Sequence, residues 1–371
     1  MVRSRLSLVG QSLDLAQKSA LALALVTLAA CGGSSSTKKN LEAASMQAAR
    51  TTAGLRLTSI GTNRKAHFSP DGKNVIYLSG NRDGHKYVQV YELSLETFHE
   101  KRITYHDGDC HDVDYSPTGS HLIYASTTDE LKERPRLLNE QVGKLPPTEI
   151  YLTDRTGAQI QRLTHEAGYQ SEAAWVGPNQ FLFVSENDGR TKINRLMLAD
   201  AKVHPWAEDA SASLRIPAVD ESATRVAWVI QKKTGGIALG LKLAGKIKSL
   251  EIPFNDIQSL QWIIGPGKRP VLLMSAKKSA SDRLSAWMLD PENAGNKTPC
   301  AAPLFAEAGG DLKDLSVSKN QDRVVMTFEN GASSQLFMRE FPALPEAASC
   351  VPLASPETAS PAPVTAGAPQ T

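Results

Sequence analysis

The sequence lacks the short motifs that mark the common catalytic machineries. It contains no G-x-S-x-G nucleophile elbow, no G-x-x-x-x-G-K-[ST] phosphate loop, no H-E-x-x-H zinc motif and no paired C-x-x-C. These absences argue against the enzyme classes that depend on such motifs. We therefore expect a protein that is not an enzyme.

A block of basic residues is also absent. Removal of residues 1 to 30 would take Arg3, Arg5 and Lys18 from the 41 basic residues and Asp14 from the 39 acidic residues, which leaves 38 of each. A chain without net charge and without a Lys/Arg cluster offers no electrostatic surface for nucleic acid. Attachment to a membrane would then have to come from lipid and not from a basic patch.

A hydrophobic run long enough to span a bilayer is missing at the N-terminus. The apolar run SALALALVTLAA follows Arg3 and Arg5 and ends in small residues at Ala30. This pattern is typical of a secretory signal peptide, which is too short for a permanent transmembrane helix. Residues 1–30 are therefore predicted to be cleaved.

The residues around Cys31 resemble the lipobox of bacterial lipoproteins, because Leu28, Ala29 and Ala30 precede the cysteine and Gly32 follows it. The resemblance implies that Cys31 carries covalent diacylglycerol and an N-acyl chain, with no other cofactor. A glycine after the cysteine, where aspartate would favour the inner membrane, implies an outer-membrane lipoprotein that faces the periplasm. The alternative is an ordinary signal peptide with an incidental cysteine. Residues 31–52 are rich in Gly, Ser, Thr, Ala and Lys, which predicts a flexible tether.

Two stretches of eleven residues are nearly identical, SPDGKNVIYLS at 69–79 and SPTGSHLIYAS at 116–126. Each follows an aromatic residue that comes ten or eleven residues after an R-L-T or R-I-T triplet, and the same register continues more weakly to the end of the chain. Units of roughly 45 to 60 residues that recur in this way indicate a repeat protein. The six anchor positions are Phe68, Tyr115, Trp175, Val219, Trp262 and Val317.

The second unit shows what each repeat builds. The stretches CHDVDYS, SHLIYAS, TEIYLTD and AQIQRLT alternate apolar and polar residues and are separated by Pro/Gly or Thr/Gly turns. Four antiparallel strands in each of six units predict an all-β, six-bladed β-propeller over residues 53–353. We expect the aromatic anchors to belong to the blade cores. The Pro/Ala/Thr-rich residues 354–371 predict a disordered tail.

The SPDG stretch, and RLTHEAGYQSEAAW followed by FLFVSENDG, resemble the WD-like Pro-Asp-Gly repeats of TolB-type propellers of Gram-negative envelopes. The resemblance covers residues 56–200 well and 200–352 only by pattern. It implies a cell-envelope propeller, although the chain lacks room for the α/β domain that precedes the TolB propeller. Such a fold hosts binding modules, scaffolds and enzymes alike.

Closure of the ring has two candidate segments. AGLRLT at 53–58 matches the end of a fourth strand although no first three strands precede it, whereas SCVPL at 349–353 occupies the same register near the C-terminus. Cys300 and Cys350 then fall at equivalent outer positions of successive blades. Such positions are roughly 20 Å apart, and a disulfide needs Cα atoms within about 7 Å. A bond between them is doubtful by this geometry, although an oxidising compartment favours one.

The segment YHDGDCHDVDY at 105–115 is rich in potential metal ligands, namely His106, Asp109, His111 and Asp112. Neighbouring side chains along a strand point to opposite faces, so Cys110 and His111 do not readily share one ion. The favoured interpretation is that the acidic side chains are solvated or cap turns and that the cysteine is buried. A metal-binding or hydrolytic propeller remains the alternative function.

The residue three positions before each anchor is expected to line the axial funnel, on the face with the loops between second and third strands. These residues are Lys65, Asp112, Glu172, Ile216, Ser259 and Asp314. A mildly acidic ring of this kind would attract cationic groups of a partner. The competing interpretation is that the acids are solvated or pair with the backbone of adjacent blades.

An insertion at 127–147 separates the second and third strands of the second unit. A loop of this length is a lid, a recognition element or a flexible segment. Leu137, Leu138, Val142 and Leu145 are candidates for packing on the propeller or on a partner. The favoured hypothesis is a lipid-anchored, monomeric binding or scaffold module that recognises an envelope protein through Lys65, Asp112, Glu172, Asp314, Leu137 and Leu138. A third possibility is a spacer without a specific ligand.

Overall fold

The computed structural model describes residues 50–51, 53–129, 145–187, 189–292, 299–306, 310–346 and 351–353. Within these ranges the chain forms 26 β-strands and one short 3₁₀ helix, Pro266–Lys268. None of the described residues forms a helix that is long and apolar enough to cross a membrane.

The strands before and within the first three blades are β1 (Arg50–Thr51), β2 (Gly54–Arg56), β3 (Thr62–Phe68), β4 (Asn74–Gly80), β5 (Gln89–Ser94), β6 (Glu100–Arg102), β7 (Cys110–Tyr115), β8 (His121–Ser126), β9 (Glu149–Asp154), β10 (Ile160–Arg162), β11 (Gln170–Trp175), β12 (Gln180–Asn187), β13 (Arg190–Met197) and β14 (Lys202–Ala207). The remaining strands are β15 (Ala212–Val219), β16 (Val226–Lys232), β17 (Ile237–Leu243), β18 (Lys246–Glu251), β19 (Asp256–Ile264), β20 (Pro270–Lys277), β21 (Ser285–Asp290), β22 (Cys300–Phe305), β23 (Asp311–Val317), β24 (Arg323–Asn330), β25 (Ser333–Glu340) and β26 (Val351–Pro352).

The described strands form six antiparallel sheets, one for each predicted repeat. Blades 1 to 5 begin with β3, β7, β11, β15 and β19, and blade 6 consists of β23 to β25 together with β2 and, at its outer edge, β1. Five of the six predicted anchors are the last residues of the first strands, and Trp262 lies two residues before the end of β19. The predicted six-bladed, all-β propeller is therefore confirmed.

The turn after each first strand explains why the Ser-Pro-Asp-Gly sequence recurs. In blade 1 the backbone N–H of Gly72 donates to the carbonyl of Ser69 at 2.8 Å, and the Ser69 hydroxyl donates to Asp71 at 2.6 Å. Gly72 has φ of +69°, which favours glycine at this position. We call the side of the propeller with these turns, and with the turns between third and fourth strands, the base face. The opposite side is the loop face.

The core lies between neighbouring blades. The second strands are buried on both sides, as the burial of Val75 through Gly80 shows for β4. One apolar cluster, for example, joins Ile76 and Leu78 of blade 1 to Val113 and Tyr115 of blade 2. The aromatic anchors belong to such clusters, as predicted.

The ring closes through its N-terminal segment. β2 pairs antiparallel with β25, with Leu55 opposite Met338 and Arg56 opposite Phe337, and the N–H of Leu57 donates to Leu336 at 2.8 Å. The prediction that residues 53–58 complete the last blade is therefore confirmed. This closure joins the two ends of the propeller and covers the edge of β25.

The competing segment near the C-terminus has a different place from the one predicted. β26 pairs with β22 as a fifth strand of blade 5, with Val351 opposite Ala301. The prediction that this segment lies in the blade after that of Cys300 is therefore wrong for Val351 and Pro352, because a two-residue strand carries too little pattern to fix its sheet. Cys300 is disulfide-bonded and Cys110 is a free, buried thiol, whereas Cys350 lies outside the described residues.

Candidate functional site

The six axial positions predicted from the repeat period, which we call the ring residues, lie at irregularities of the first strands. In each of the six first strands the register shifts by a β-bulge beside this position, and Lys65, Glu172 and Ile216 have positive φ angles between 52° and 55°. A bulge redirects side chains relative to a regular strand. All six ring residues line the central cavity of the propeller.

The acidic ring residues connect adjacent blades. Asp314 accepts a hydrogen bond from the backbone N–H of Lys65 at 3.1 Å, and its carboxylate lies 3.5 Å from the Lys65 ammonium. Asp112 accepts from the N–H of Ala173 at 3.1 Å, and Glu172 accepts from the N–H of Ile216 at 2.7 Å. The interpretation that these acids pair with adjacent-blade backbone is therefore what the structure shows. Their role toward a partner stays a prediction.

Two of the ring charges are stabilised by opposite charges. Burial disfavours the carboxylate of Glu172, but its ion pair with Arg215 outweighs this effect and lowers the pKa of Glu172. Burial also disfavours the Lys65 ammonium, but Asp314 and other ring carboxylates outweigh it and raise the pKa of Lys65. Both groups therefore remain charged at neutral pH.

The ionised forms of Asp112 and Asp114 are stabilised less than those of Glu172 and Lys65. Burial raises the pKa of Asp112 to about 6, although Lys65 opposes the shift. Burial, followed by repulsion from Asp112, raises the pKa of Asp114 to about 8. His67 lies 3.8 Å from Asp114, and burial and Lys65 lower the pKa of this imidazole to about 4. Both shifts favour the neutral forms of these two side chains at pH 7.

The raised pKa of Asp114 predicts how its replacement changes stability with pH. Between about pH 4 and pH 8 the folded chain keeps a proton that the unfolded chain loses, so this group makes the free energy of unfolding fall as the pH rises. Asp114→Asn removes that dependence, so the variant gains stability relative to the parent from pH 4 to pH 8. Urea unfolding across this range measures the difference.

Asp154→Asn is the control for this prediction. Asp154 is an exposed turn residue whose pKa is lowered by hydrogen bonds from Thr156 and nearby backbone. Its replacement removes a carboxylate whose stabilising effect is already complete above the ordinary pKa of aspartate, so the difference between this variant and the parent should stay level from about pH 4 to pH 8. If the difference between Asp114→Asn and the parent also stayed level over this range, the raised pKa would be refuted.

The central cavity has a volume of about 840 Å³ and receives residues from all six blades. From the ring it extends along the first strands to the turns of the base face, where Pro70, Pro117 and Asp220 line it. The expectation that the funnel belongs to the loop face is therefore corrected. Phe68, Tyr115, Trp175 and Trp262 line the cavity although each is more than nine-tenths buried.

The residues of the predicted metal cluster point to separate partners. A ring nitrogen of His106 lies 2.7 Å from the hydroxyl of Tyr124, and Asp109 accepts from the N–H of Val88 at 2.7 Å. Burial, followed by Arg64, lowers the pKa of His111 to about 4. Asp112 belongs to the ring. Among the described residues, no three His, Cys, Asp or Glu side chains come together as a metal site would require.

The insertion contributes little to the described site. Leu137, Leu138 and Val142 lie outside the described residues, as does Cys31. Leu145 at its end is partly buried against the cluster that contains Tyr169 and Trp228. The repeat offset did not assign His67 or Asp114 to the ring, although Asp114 belongs to the ligand-rich segment 105–115. Asp114 could have been found, because it lies two residues after Asp112 on the same strand.

Comparisons with known proteins inform the fold. No protein-family model and no curated protein matches the chain. The solved structures that resemble it include TolB from Acinetobacter baumannii, with 16% identity over 59% of this chain and 52% of that chain and a TM-score of 0.43. A putative TolB from Agrobacterium tumefaciens has 13% identity over 76% and 91% and a TM-score of 0.49. An oligogalacturonate lyase in complex with manganese has 11% identity over 77% and 79% and a TM-score of 0.52.

The fold is a six-bladed β-propeller, and the oligogalacturonate lyase resembles it at a TM-score above 0.5. The chain spans about half the length of the Acinetobacter TolB. Because enzymes and binding proteins share this fold, such low identities do not transfer a ligand or an activity.

Proposed function

We propose that the protein is a non-enzymatic binding module of the bacterial envelope, anchored in the outer membrane through Cys31, whose central cavity receives a segment of a partner protein. The observation that carries this proposal is the cavity of about 840 Å³ to which every blade contributes. Its size falls within the range of specific ligand sites. The envelope location rests on the lipobox resemblance and on the TolB-like fold.

The cavity lining indicates the chemistry of the segment. Between the ring and the base face the walls include the apolar side chains of Leu260, Trp262 and Ile263, whereas charged residues such as Arg225 and Lys319 line the end at the base face. At the ring end, the carboxyl groups of Asp112, Asp114, Glu172 and Asp314 line the cavity together with Lys65, and Arg215 pairs with Glu172. A segment with apolar side chains along its length and a lysine or arginine at its tip would match these walls and the ring end, because its cation would favour the ionised forms of Asp112 and Asp114.

Site-directed photo-cross-linking in cells tests this proposal. A photoreactive amino acid replaces Gln258, which lines the cavity, and in a control it replaces Ser249, which is exposed on β18. We expect a defined protein to be captured from position 258 and not from position 249. Capture should weaken in Asp112→Asn, because that variant removes a carboxylate from the ring end. Equal capture from both positions, or none from position 258, would exclude the cavity as the binding site.

The competing function is a metal-binding or hydrolytic propeller that uses His106, Asp109, His111 and Asp112. Metal analysis of the purified protein after dialysis separates the two proposals. A tight site would retain close to one equivalent of metal, whereas a binding module without such a site would retain less than about a tenth of an equivalent. A propeller that served only as a spacer would show neither captured protein nor bound metal.

A further inference from the structure

The ring contains a cation of its own. Lys65 lies in the bulge of β3 with φ of +55°, and its side chain, which is 29% exposed, lines the central cavity. Asp314 of blade 6 holds this lysine twice, because one carboxylate oxygen accepts from the backbone N–H of Lys65 at 3.1 Å and the other lies 3.5 Å from the ammonium. A lysine in the left-handed region is uncommon, and this contact at two points shows what keeps it there.

Carboxylates from three blades act on this ammonium. Burial lowers the pKa of Lys65, but attraction by Asp314, Asp112 and Glu172 outweighs burial and raises this pKa. Attraction between opposite charges is reciprocal, so the same ammonium opposes the rise that burial causes in the pKa of Asp112. The ring as a whole therefore shares Lys65, although Asp314 is the nearest of its carboxylates.

The three ring carboxylates have only two basic partners. Glu172 pairs with Arg215, and Asp314 pairs with Lys65. Within the described ranges, Asp112 is the one ring carboxylate that forms no ion pair with a basic side chain. A cation that reaches the ring therefore finds a single unpaired carboxylate, beside a lysine that repels it.

The other half of the ring offers no carboxylate to an incoming cation. Its residues, Ile216 of blade 4 and Ser259 of blade 5, are uncharged, and the neighbouring wall includes the apolar side chain of Leu260. Attraction toward a cation at the ring thus comes from the side formed by blades 6, 1, 2 and 3. These are the carboxylates that Lys65 already stabilises, so an incoming cation and Lys65 need the same groups.

We propose that the Lys65 ammonium is a built-in competitor for the cation of the partner segment, which binds by displacing Lys65 from the ring carboxylates. The proposal deepens the proposed function and rests on it for the nature of the segment. Lysine suits this role because its ammonium is carried on a flexible four-carbon stem, which can move along the cavity while the backbone bond to Asp314 stays in place. A segment with an uncharged tip cannot displace it, so Lys65 makes the ring selective for a cation.

A small amine tests this competition with a probe of known chemistry. n-Butylamine, which is a cation at neutral pH, and 1-butanol, which has a similar size and no charge, are titrated into the purified full chain with isotope-labelled tryptophan. The indole N–H signals of Trp175 and Trp262 report binding, because both residues line the cavity. Lys65→Met leaves the ring carboxylates without their cation. We expect this variant to bind butylammonium roughly tenfold more tightly than the parent does, with no comparable gain for butanol.

Two further substitutions control for charge and for position. Lys65→Arg keeps the positive charge and should bind butylammonium no more tightly than the parent. Lys319→Met removes a lysine from the base-face end of the same cavity, where the ammonium pairs with Glu221 at 2.6 Å and both side chains are exposed, so binding at the ring should not change. An equal gain in Lys65→Arg, or an equal gain for butanol, would assign the effect to space and overturn the proposal. No gain in Lys65→Met, or no binding to it, would also overturn it.

The neutral variants should fold, because Asp314 still accepts from the backbone N–H of residue 65. Lys65→Gln is the second neutral variant, and its amide is still able to donate to the Asp314 carboxylate. It should show the same gain in butylammonium binding as Lys65→Met. Urea unfolding checks the stability of both variants. If neither folds, Lys65 is a structural residue and the proposal is wrong.

Photo-cross-linking from position 258 separates this proposal from the proposed function. Capture of the partner protein should increase in Lys65→Met. If no protein is captured from any chain while Lys65→Met gains affinity for butylammonium, the proposed function fails and the competition in the ring stands. If a protein is captured equally well from the parent and from Lys65→Met, the cavity binds a partner but Lys65 does not compete with it, and this proposal is overturned.

Discussion

A chain that begins at Ser59 should lose most of its stability relative to one that begins at Arg50. The shorter chain lacks β2, so β25 becomes an open edge and the ring has no closing strand. It also lacks Leu57, which is 9% exposed, and the partly buried Leu55. Burial of two leucines contributes roughly 3 to 6 kcal/mol, against a total of about 5 to 15 kcal/mol for a typical domain.

The closure also includes polar contacts that a shortened chain loses. The Thr58 hydroxyl donates to Gln335 at 2.9 Å and accepts from the N–H of Leu336 at 3.0 Å. Both partners are buried, so the shorter chain loses two buried hydrogen bonds, although Gln335 keeps the one that it accepts from Asn63 at 3.1 Å. Urea unfolding followed by tryptophan fluorescence measures the difference between the two chains. Equal midpoints would show that β2 does not close the ring.

If the shorter chain does not accumulate, a single substitution addresses the same contact. Leu57→Ala keeps the backbone pairing and removes most of the buried side chain. We expect it to lower the free energy of unfolding by about 2 to 4 kcal/mol. Ile60→Ala is the matched control, because Ile60 is 60% exposed three residues further along. A loss at Leu57 no greater than that at Ile60 would contradict the role of the segment.

The propeller was predictable because its turns carry strong local chemistry. Ser69 to Gly72 and Ser116 to Gly119 form the same turn, and glycine at its fourth position has positive φ in both. The late blades lack this sequence. Their anchors could still be predicted, because buried second strands such as β16 and β20 are recognisable as apolar runs. β26 was misplaced because two residues carry no usable period.

The candidate site was predictable only in part. The ring residues could be predicted as those three positions before each anchor, because all six first strands carry a bulge near this position. The same bulges break the simple alternation of side chains, so the sequence does not show which neighbours of the ring face the axis. The extension of the cavity toward the base face depends on packing among all six blades, which a single repeat does not contain.

Gly240→Ala should destabilise the propeller by about 3 kcal/mol or more, although it adds only one methyl group. Gly240 lies in β17 opposite Trp228 of β16, and a Cβ there would lie 1.9 Å from Cε2 of the indole. The indole cannot move aside easily, because Trp228 is 4% exposed and packs edge-on against Trp206 with ring centroids 5.2 Å apart. Overpacking of a rigid core commonly costs about 1 to 3 kcal/mol, and this contact is at the severe end.

Gly245→Ala is the matched control for this prediction. Gly245 lies in the turn between β17 and β18, where nothing would contact a Cβ within 4 Å, although its φ is +79°. It should therefore lose only about 1 to 2 kcal/mol from backbone strain. Combining Gly240→Ala with Trp228→Leu should restore part of the loss, because the smaller side chain makes room for the new methyl group. If Gly240→Ala costs no more than Gly245→Ala in urea unfolding, the close approach of Trp228 to the β17 backbone is refuted.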